Sequence, residues 1–204
     1  MRILIVGPSW VGDMVMAQTL FVCLKQRHPG CEIDVLAPEW SRPILERMPE
    51  VRKALSFPLG HGALELATRR RIGKSLRGQY DQAILLPNSL KSALVPFFAG
   101  IPKRTGWRGE FRYGLLNDVR TLDKERYPLM IERFMALAYE ANAELPKPYP
   151  RPSLQIDPVT REAALAKFGL SLDRPVLALS PGAEFGESKR WASEHYAKVA
   201  EARI

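Results

Sequence analysis

From its second residue the chain alternates short apolar runs with stretches whose apolar residues recur at helical spacing, and few folds accept that rhythm. Residues 2–6 carry Ile3-Leu4-Ile5-Val6, an unbroken run of the kind expected in a strand covered on both faces. The turn Gly7-Pro8-Ser9-Trp10-Val11-Gly12 ends it. From Asp13 onward Met16, Leu20, Cys23 and Leu24 fall at helical spacing, until His28-Pro29-Gly30. Ile33–Leu36 reads as a second strand, Arg42–Met48 as a short helix, and Val51–Phe57 as a third strand between Pro49 and Pro58. A helix is expected over Ala63–Leu76 and a fourth strand over Ala83–Leu86. Residues 103–126 read as irregular and basic, and an amphipathic helix is expected over Leu129–Ala143. Buried strands separated by helices pair in parallel, so the class is α/β with a doubly wound sheet.

Prolines then crowd together at Pro146, Pro148, Pro150, Pro152 and Pro158, a composition suited to a stiff, extended connection. After it the rhythm restarts, with a helix at Val159–Phe168, a strand at Val176–Ser180, a turn at Pro181–Lys189 and a helix from Ala192. The expected organisation is a first Rossmann-like domain at 1–145, a linker at 146–158 and the start of a second domain at 159–204. One strand and two helices do not complete a nucleotide-binding sheet, so that second domain is expected to be cut short.

The formal net charge of +8 points to an acidic partner: nucleic acid, anionic lipid, or a phosphorylated or carboxylated glycan. The two cysteines, Cys23 and Cys31, form no CxxC pair, which speaks against a disulfide framework or a structural zinc and for a reducing cytoplasm. The opening residues lack the apolar length of a signal peptide, and no run approaches that of a membrane span.

Open parallel sheets bind ligands just past the carboxyl ends of their strands, where this chain has three polar turns. The first, Gly7–Asp13, has neither the GxGxxG of a dinucleotide site nor the Lys of a P-loop. It offers a carboxylate at a helix entrance, where Asp13 is either an N-cap or first-turn acid or a general base. The second, Pro181-Gly182-Ala183-Glu184-Phe185-Gly186-Glu187-Ser188-Lys189-Arg190, opens another helix. Its glycines and Lys189 suit a diphosphate, with a plain solvated turn as the alternative. The third holds Asn88, Ser89 and Lys91, which either bond a sugar or carboxylate or merely cap the next helix. Basic residues cluster twice, first as Arg69, Arg70, Arg71, Lys74 and Arg77. The second cluster, Lys103, Arg104, Arg108 and Arg112, is interleaved with Trp107, Phe111 and Tyr113. Aromatic and basic residues together suit a charged sugar or single-stranded nucleic acid. His61 lies between glycines in a loop, either on the surface or against a ligand.

The strings GPSWVGDMVMAQ at 7–18, PLGHGAL at 58–64, LPNSLKSALVPFFAGIPKRTGWRGE at 86–110, RYGLLND at 112–118 and PGAEFGESKRW at 181–191 resemble glycosyltransferase family 9. Within that family they are closer to heptosyltransferase II than to heptosyltransferase I, and the resemblance runs along essentially the whole chain. It implies a GT-B architecture of two Rossmann-like domains, the first for a lipopolysaccharide inner-core acceptor (heptosyl-Kdo2-lipid A) and the second for ADP-L-glycero-D-manno-heptose. The family's base falls on Asp13 and its diphosphate lysine on Lys189, with Gly182, Ala183 and Glu184 beside it. Acceptor contacts are expected from Ser9, Gly12, His61, Asn88, Lys91, Arg69, Arg70, Arg104, Trp107 and Arg108. The implied reaction is inverting heptosyl transfer with no metal or cofactor, by a cytoplasmic protein with peripheral contact at the inner membrane as a further expectation. No nucleic-acid partner is then expected. The readings left beside it are a non-catalytic basic module for nucleic acid or anionic membrane, and a GT-B enzyme for another nucleotide sugar.

Overall fold

The computed structural model describes residues 1–58, 64–183 and 186–203. Six parallel strands form one sheet in the order β3-β2-β1-β4-β5-β6. They are β1 (Arg2–Val6), β2 (Glu32–Ala37), β3 (Val51–Ser56), β4 (Gln82–Leu85), β5 (Lys103–Trp107) and β6 (Asp118–Arg120). In the same unit lie helices α1 (Val11–Arg27), α2 (Arg42–Leu45), α3 (Leu66–Ser75), α4 (Leu94–Phe98) and α5 (Met130–Met135). Successive residues of a strand face opposite sides, and the apolar runs divide accordingly. Ile3, Ile5, Ile33, Val35 and Ile84 join Met14, Ala17, Leu20 and Phe21 of α1 and Phe134 and Met135 of α5 on one face. Leu4, Val6, Leu36, Ala83 and Leu85 join Leu76, Ala93, Val95 and Ala99 on the other. Both faces are therefore covered, as the unbroken apolar runs require.

The stretch 103–126, expected to be irregular, instead supplies β5 and β6. No apolar run announces them, because polar side chains join these strands across the sheet. Gln82 Nε2 donates to Thr105 Oγ1 (3.0 Å), which donates to Asp118 Oδ2 (2.9 Å), and Arg120 pairs with that same carboxylate (2.9 Å). Burial alone would raise the Asp118 carboxyl. The hydrogen bonds from Arg120 and Thr105, with the charge of Arg120, outweigh it and hold the group below the ordinary carboxylate range. A depressed acid contributes stability above its unfolded pKa of about 3.9, and that stability is lost as the pH falls through the folded value. Urea midpoints measured from pH 6 down to pH 3 should therefore fall less steeply for Asp118→Asn than for the parent. Parallel slopes would show that the ladder carries no such linkage.

The helix expected over Leu129–Ala143 is shorter: α5 ends at Met135, followed by a 3-10 turn over Ala136–Ala138. Arginines from elsewhere take its terminal carbonyls. Arg120 donates to the oxygens of Ala136 and Tyr139, and Arg27 to that of Ala138, so these carbonyls at the end of the helix are satisfied by side chains.

The chain divides into two compact units, Met1–Gln155 and Ile156–Ile204. Much of the proline-rich stretch packs on the first unit. Gln18 of α1 exchanges two hydrogen bonds with the Ser153 backbone (both 2.9 Å), and Gln155 N donates to Arg47 O (2.8 Å). In the second unit α6 (Pro158–Phe168) starts at an Asp157 cap that accepts Thr160 N–H (2.9 Å), with Pro158 in the first turn. Gly169, at φ 62°, closes it. Helix α7 spans Ser193–Glu201. The strand expected at Val176–Ser180 does not form. A parallel strand needs a neighbour to bond, and none is present among the described residues of this unit. Among the described residues no helix is long and apolar enough to cross a membrane.

Candidate functional site

The strand order reverses between β1 and β4, so the connections leaving these two strands run to opposite faces and open a crevice between them. A cleft of about 360 Å³ sits there. Ser9, after β1, forms one side, and its carbonyl accepts a hydrogen bond from Trp40 Nε1 (2.9 Å), after β2. Phe57 follows β3, Asn88, Ser89 and Lys91 follow β4, and Glu110 comes from the β5–β6 connection. Arg69 reaches in from α3, 3% exposed, with its guanidinium 4.9 Å over the Phe57 ring. Its Nη1 donates to the Lys91 carbonyl at 3.0 Å. Burial lowers its pKa from the ordinary value, yet an arginine stays charged in proteins, so this wall is fixed as cationic. Aromatic flanks, amide and hydroxyl groups and a permanent cation suit an oxygen-rich, acidic ligand.

The cleft thus brings together Ser9, Arg69, Asn88 and Lys91 from the residues singled out in the sequence. Asp13 does not line it. It occupies the first turn of α1, four residues beyond Ser9 and half-buried. Among the described residues nothing donates a hydrogen bond to its carboxylate or forms an ion pair with it, and the helix cap position belongs to Trp10. Asp13 is therefore not the N-cap but an acid in the first turn of the helix. Gly12 beside it is exposed, with open space where a side chain would stand.

Ser89 likewise makes no side-chain cap to the 3-10 helix Leu90–Ala93. The 87–92 turn is held instead by Arg112, which is 2% exposed. Arg112 donates to Pro87 O (2.8 Å), Ser92 Oγ (3.3 Å), Asn88 Oδ1 (3.4 Å) and the Trp107 carbonyl.

Two residues expected to contact the acceptor are engaged within the fold. Trp107 is 6% exposed, donates its Nε1–H to Arg133 O (3.1 Å) and packs against Tyr127, so its ring faces are closed to a sugar. Arg104 lies outside the cleft, donating from Nε to Leu115 O (2.6 Å) and from Nη1 to Ile101 O, which fixes the β5–β6 connection. Arg70 and Arg108 are exposed and do not line the cleft. His61 and Glu184 lie outside the described residues.

In the second unit Lys189 ends a 3-10 turn, Glu187–Lys189, entered through Gly186 at φ 83°. It is exposed, and its amine has no hydrogen-bond or ion-pair partner among the described residues. Arg190 Nη2 donates to Ala183 O (3.3 Å), and Gly182 has open space over its Cα. Among the described residues no three His, Cys, Asp or Glu side chains gather as a metal site.

Reading the sequence did not single out Trp40, Phe57 or Glu110. Trp40 and Phe57 follow strands β2 and β3, a position that marks the ligand edge of any such sheet. Glu110 had no comparable signal, since it sits inside the stretch read as irregular.

The family model for Glycosyltransferase family 9 (heptosyltransferase) matches residues 69–204. Lipopolysaccharide heptosyltransferase 2 of Escherichia coli (strain K12) is 57% identical, and the match covers 100% of this chain and 60% of that protein. Lipooligosaccharide heptosyltransferase 2 of Haemophilus influenzae is 55% identical, over 100% of this chain and 61% of that one. The solved structure of E. coli ADP-heptose lps heptosyltransferase II superposes with a TM-score of 0.89 at 53% identity, covering 100% of this chain and 61% of that chain. The chain therefore spans about 60% of the length of these relatives. A model match from Arg69 to Ile204, with over half the residues shared along the whole chain, places it: the chain belongs to glycosyltransferase family 9, the heptosyltransferases.

Proposed function

We propose that the protein carrying this chain transfers L-glycero-D-manno-heptose from ADP-heptose to the first heptose of the lipopolysaccharide inner core, inverting the anomeric centre. The observation that carries the chemistry is Asp13, a carboxylate with no partner among the described residues, in the first turn of α1 just after the connection whose Gly7 and Ser9 line the cleft. The sugars are inferred from the relatives' names.

In this reading the acceptor hydroxyl oxygen attacks the anomeric carbon of the donor. The bond from that carbon to the β-phosphate oxygen breaks, ADP leaves, and Asp13 takes the hydroxyl proton. Charge grows on the departing diphosphate, where Lys189 and the backbone around Gly182, Ala183 and Glu184 are proposed to stabilise it. Asn88, Lys91 and Arg69 hold the acceptor, with Ser9, Gly12 and His61 on its near side. Arg70 and Arg108, both exposed, meet its acidic Kdo and phosphate groups. The same cations would favour contact with the anionic inner leaflet, and the proposed location is the cytoplasm at that surface.

The test is a transfer assay on protein extended to the relatives' length, with a heptose-deficient inner core and ADP-heptose, run beside other nucleotide sugars. Transfer is expected from ADP-heptose. Turnover of a different nucleotide sugar, or salt-sensitive oligonucleotide binding without any transfer, would overturn the reading.

A further inference from the structure

Glu110 is a cleft residue whose carboxylate is already engaged. Its Oε2 accepts the Leu90 backbone N–H at 2.7 Å, while its own N–H donates to the Asn88 carbonyl at 3.0 Å. Leu90 opens the 3-10 helix Leu90–Ala93, and Ser89 at its cap position supplies no side-chain bond. Glu110 thus serves from a distant segment as the helix cap that the local sequence fails to provide. The two backbones meet closely: a Cβ on Gly109 would stand 2.2 Å from Asn88 O, so only glycine admits the approach. From the other side Arg112 takes Pro87 O and Asn88 Oδ1.

We propose that Glu110 is a positioning residue that fixes the turn bearing Asn88 and Lys91, and so sets the affinity for the acidic acceptor without touching the reacting atoms. This rests on the heptosyl-transfer reading. The physical route is a population effect. If the unclasped turn presents Asn88 and Lys91 correctly for only a fraction of the time, apparent affinity falls by that fraction while bound substrate reacts as before. A carboxylate is not required for the clasp, since an amide oxygen accepts the same N–H. Its negative charge is of no use in gripping an acidic ligand, which further separates holding the turn from contacting the substrate.

Steady-state kinetics of Glu110→Ala and Glu110→Gln in the extended protein test this, together with deuterium exchange at the Leu90 amide. Glu110→Ala should raise the acceptor KM about tenfold, as loss of one charge-assisted hydrogen bond allows, with kcat and donor KM within about twofold. Glu110→Gln should bring the acceptor KM back to within about threefold of the parent. Leu90 exchange should quicken in the Ala variant and stay slow in the Gln variant. Equal impairment by Gln and Ala would overturn the proposal and assign the charge itself a contact role. Unchanged Leu90 exchange in Glu110→Ala would overturn it as well, by showing that no clasp exists. Should the parent transfer no heptose, the functional reading fails, and the exchange experiment still decides the clasp.

Discussion

Replacing Asp13 by Asn in the extended protein is expected to lower kcat for heptosyl transfer by about 10²–10⁴-fold, the usual contribution of a positioned general base. The substitution keeps the size and shape of the side chain and removes its ability to take a proton. Stability should hardly change, because the carboxylate makes no hydrogen bond or ion pair among the described residues that the amide would forfeit. What remains is the attraction between an acid and the helix N-terminus, about 0.3–1 kcal/mol at a surface. A large fall in kcat beside a near-constant melting temperature is the expected pair. An unaltered kcat would remove Asp13 from the mechanism, whatever happened to acceptor affinity.

Arg112→Met is expected to destabilise the first unit by about 3–4 kcal/mol, at the high end for single substitutions. The guanidinium is buried and donates to four acceptors, the carbonyls of Pro87 and Trp107, Ser92 Oγ and Asn88 Oδ1. Methionine fills much of the volume and leaves those acceptors dry, at about 1–3 kcal/mol for each one left without a partner. The full sum is not reached, for two reasons. Ser92 keeps its own bonds to Pro87 O and Ser89 O, and Arg112 Nε is already buried without a partner among the described residues. Burial lowers the pKa of Arg112 from its ordinary value, so its charge is itself a cost that the variant sheds. Urea denaturation should show a lower midpoint at unchanged slope. A loss under about 1 kcal/mol would mean that the turn reorganises around the missing side chain.

Strands β1, β2 and β4 were legible in the sequence because both their faces are apolar and their residues alternate between two cores, and β3, at the sheet edge, because Pro49 and Pro58 bound it. β5 and β6 were not, since the ladder from Gln82 through Thr105 and Asp118 to Arg120 puts polar residues where periodicity looks for apolar ones. The turns after β1 and β4 could be anticipated because a parallel sheet gathers such turns at one edge. Trp107 misled for a related reason. An aromatic residue amid arginines looks like a sugar platform, while here its ring belongs to the core and the neighbouring Arg104 and Arg112 bind carbonyls. No local pattern distinguishes an arginine that tethers a loop from one that awaits an anion. The distinction lies in backbone oxygens, which sequence does not display.

Arg69, sealed beneath the cleft over Phe57, differs in kind from the cations of the outer surface. Mobile ions cannot crowd a guanidinium enclosed by protein, so its pull on a bound anion weakens little as salt rises. Attraction through solvent-exposed Arg70 or Arg71 fades over a screening distance of about 8 Å at 0.15 M. If the proposed acceptor binds here, its recruitment by the outer cations is tunable by ionic strength, while its retention by the inner one persists in brine.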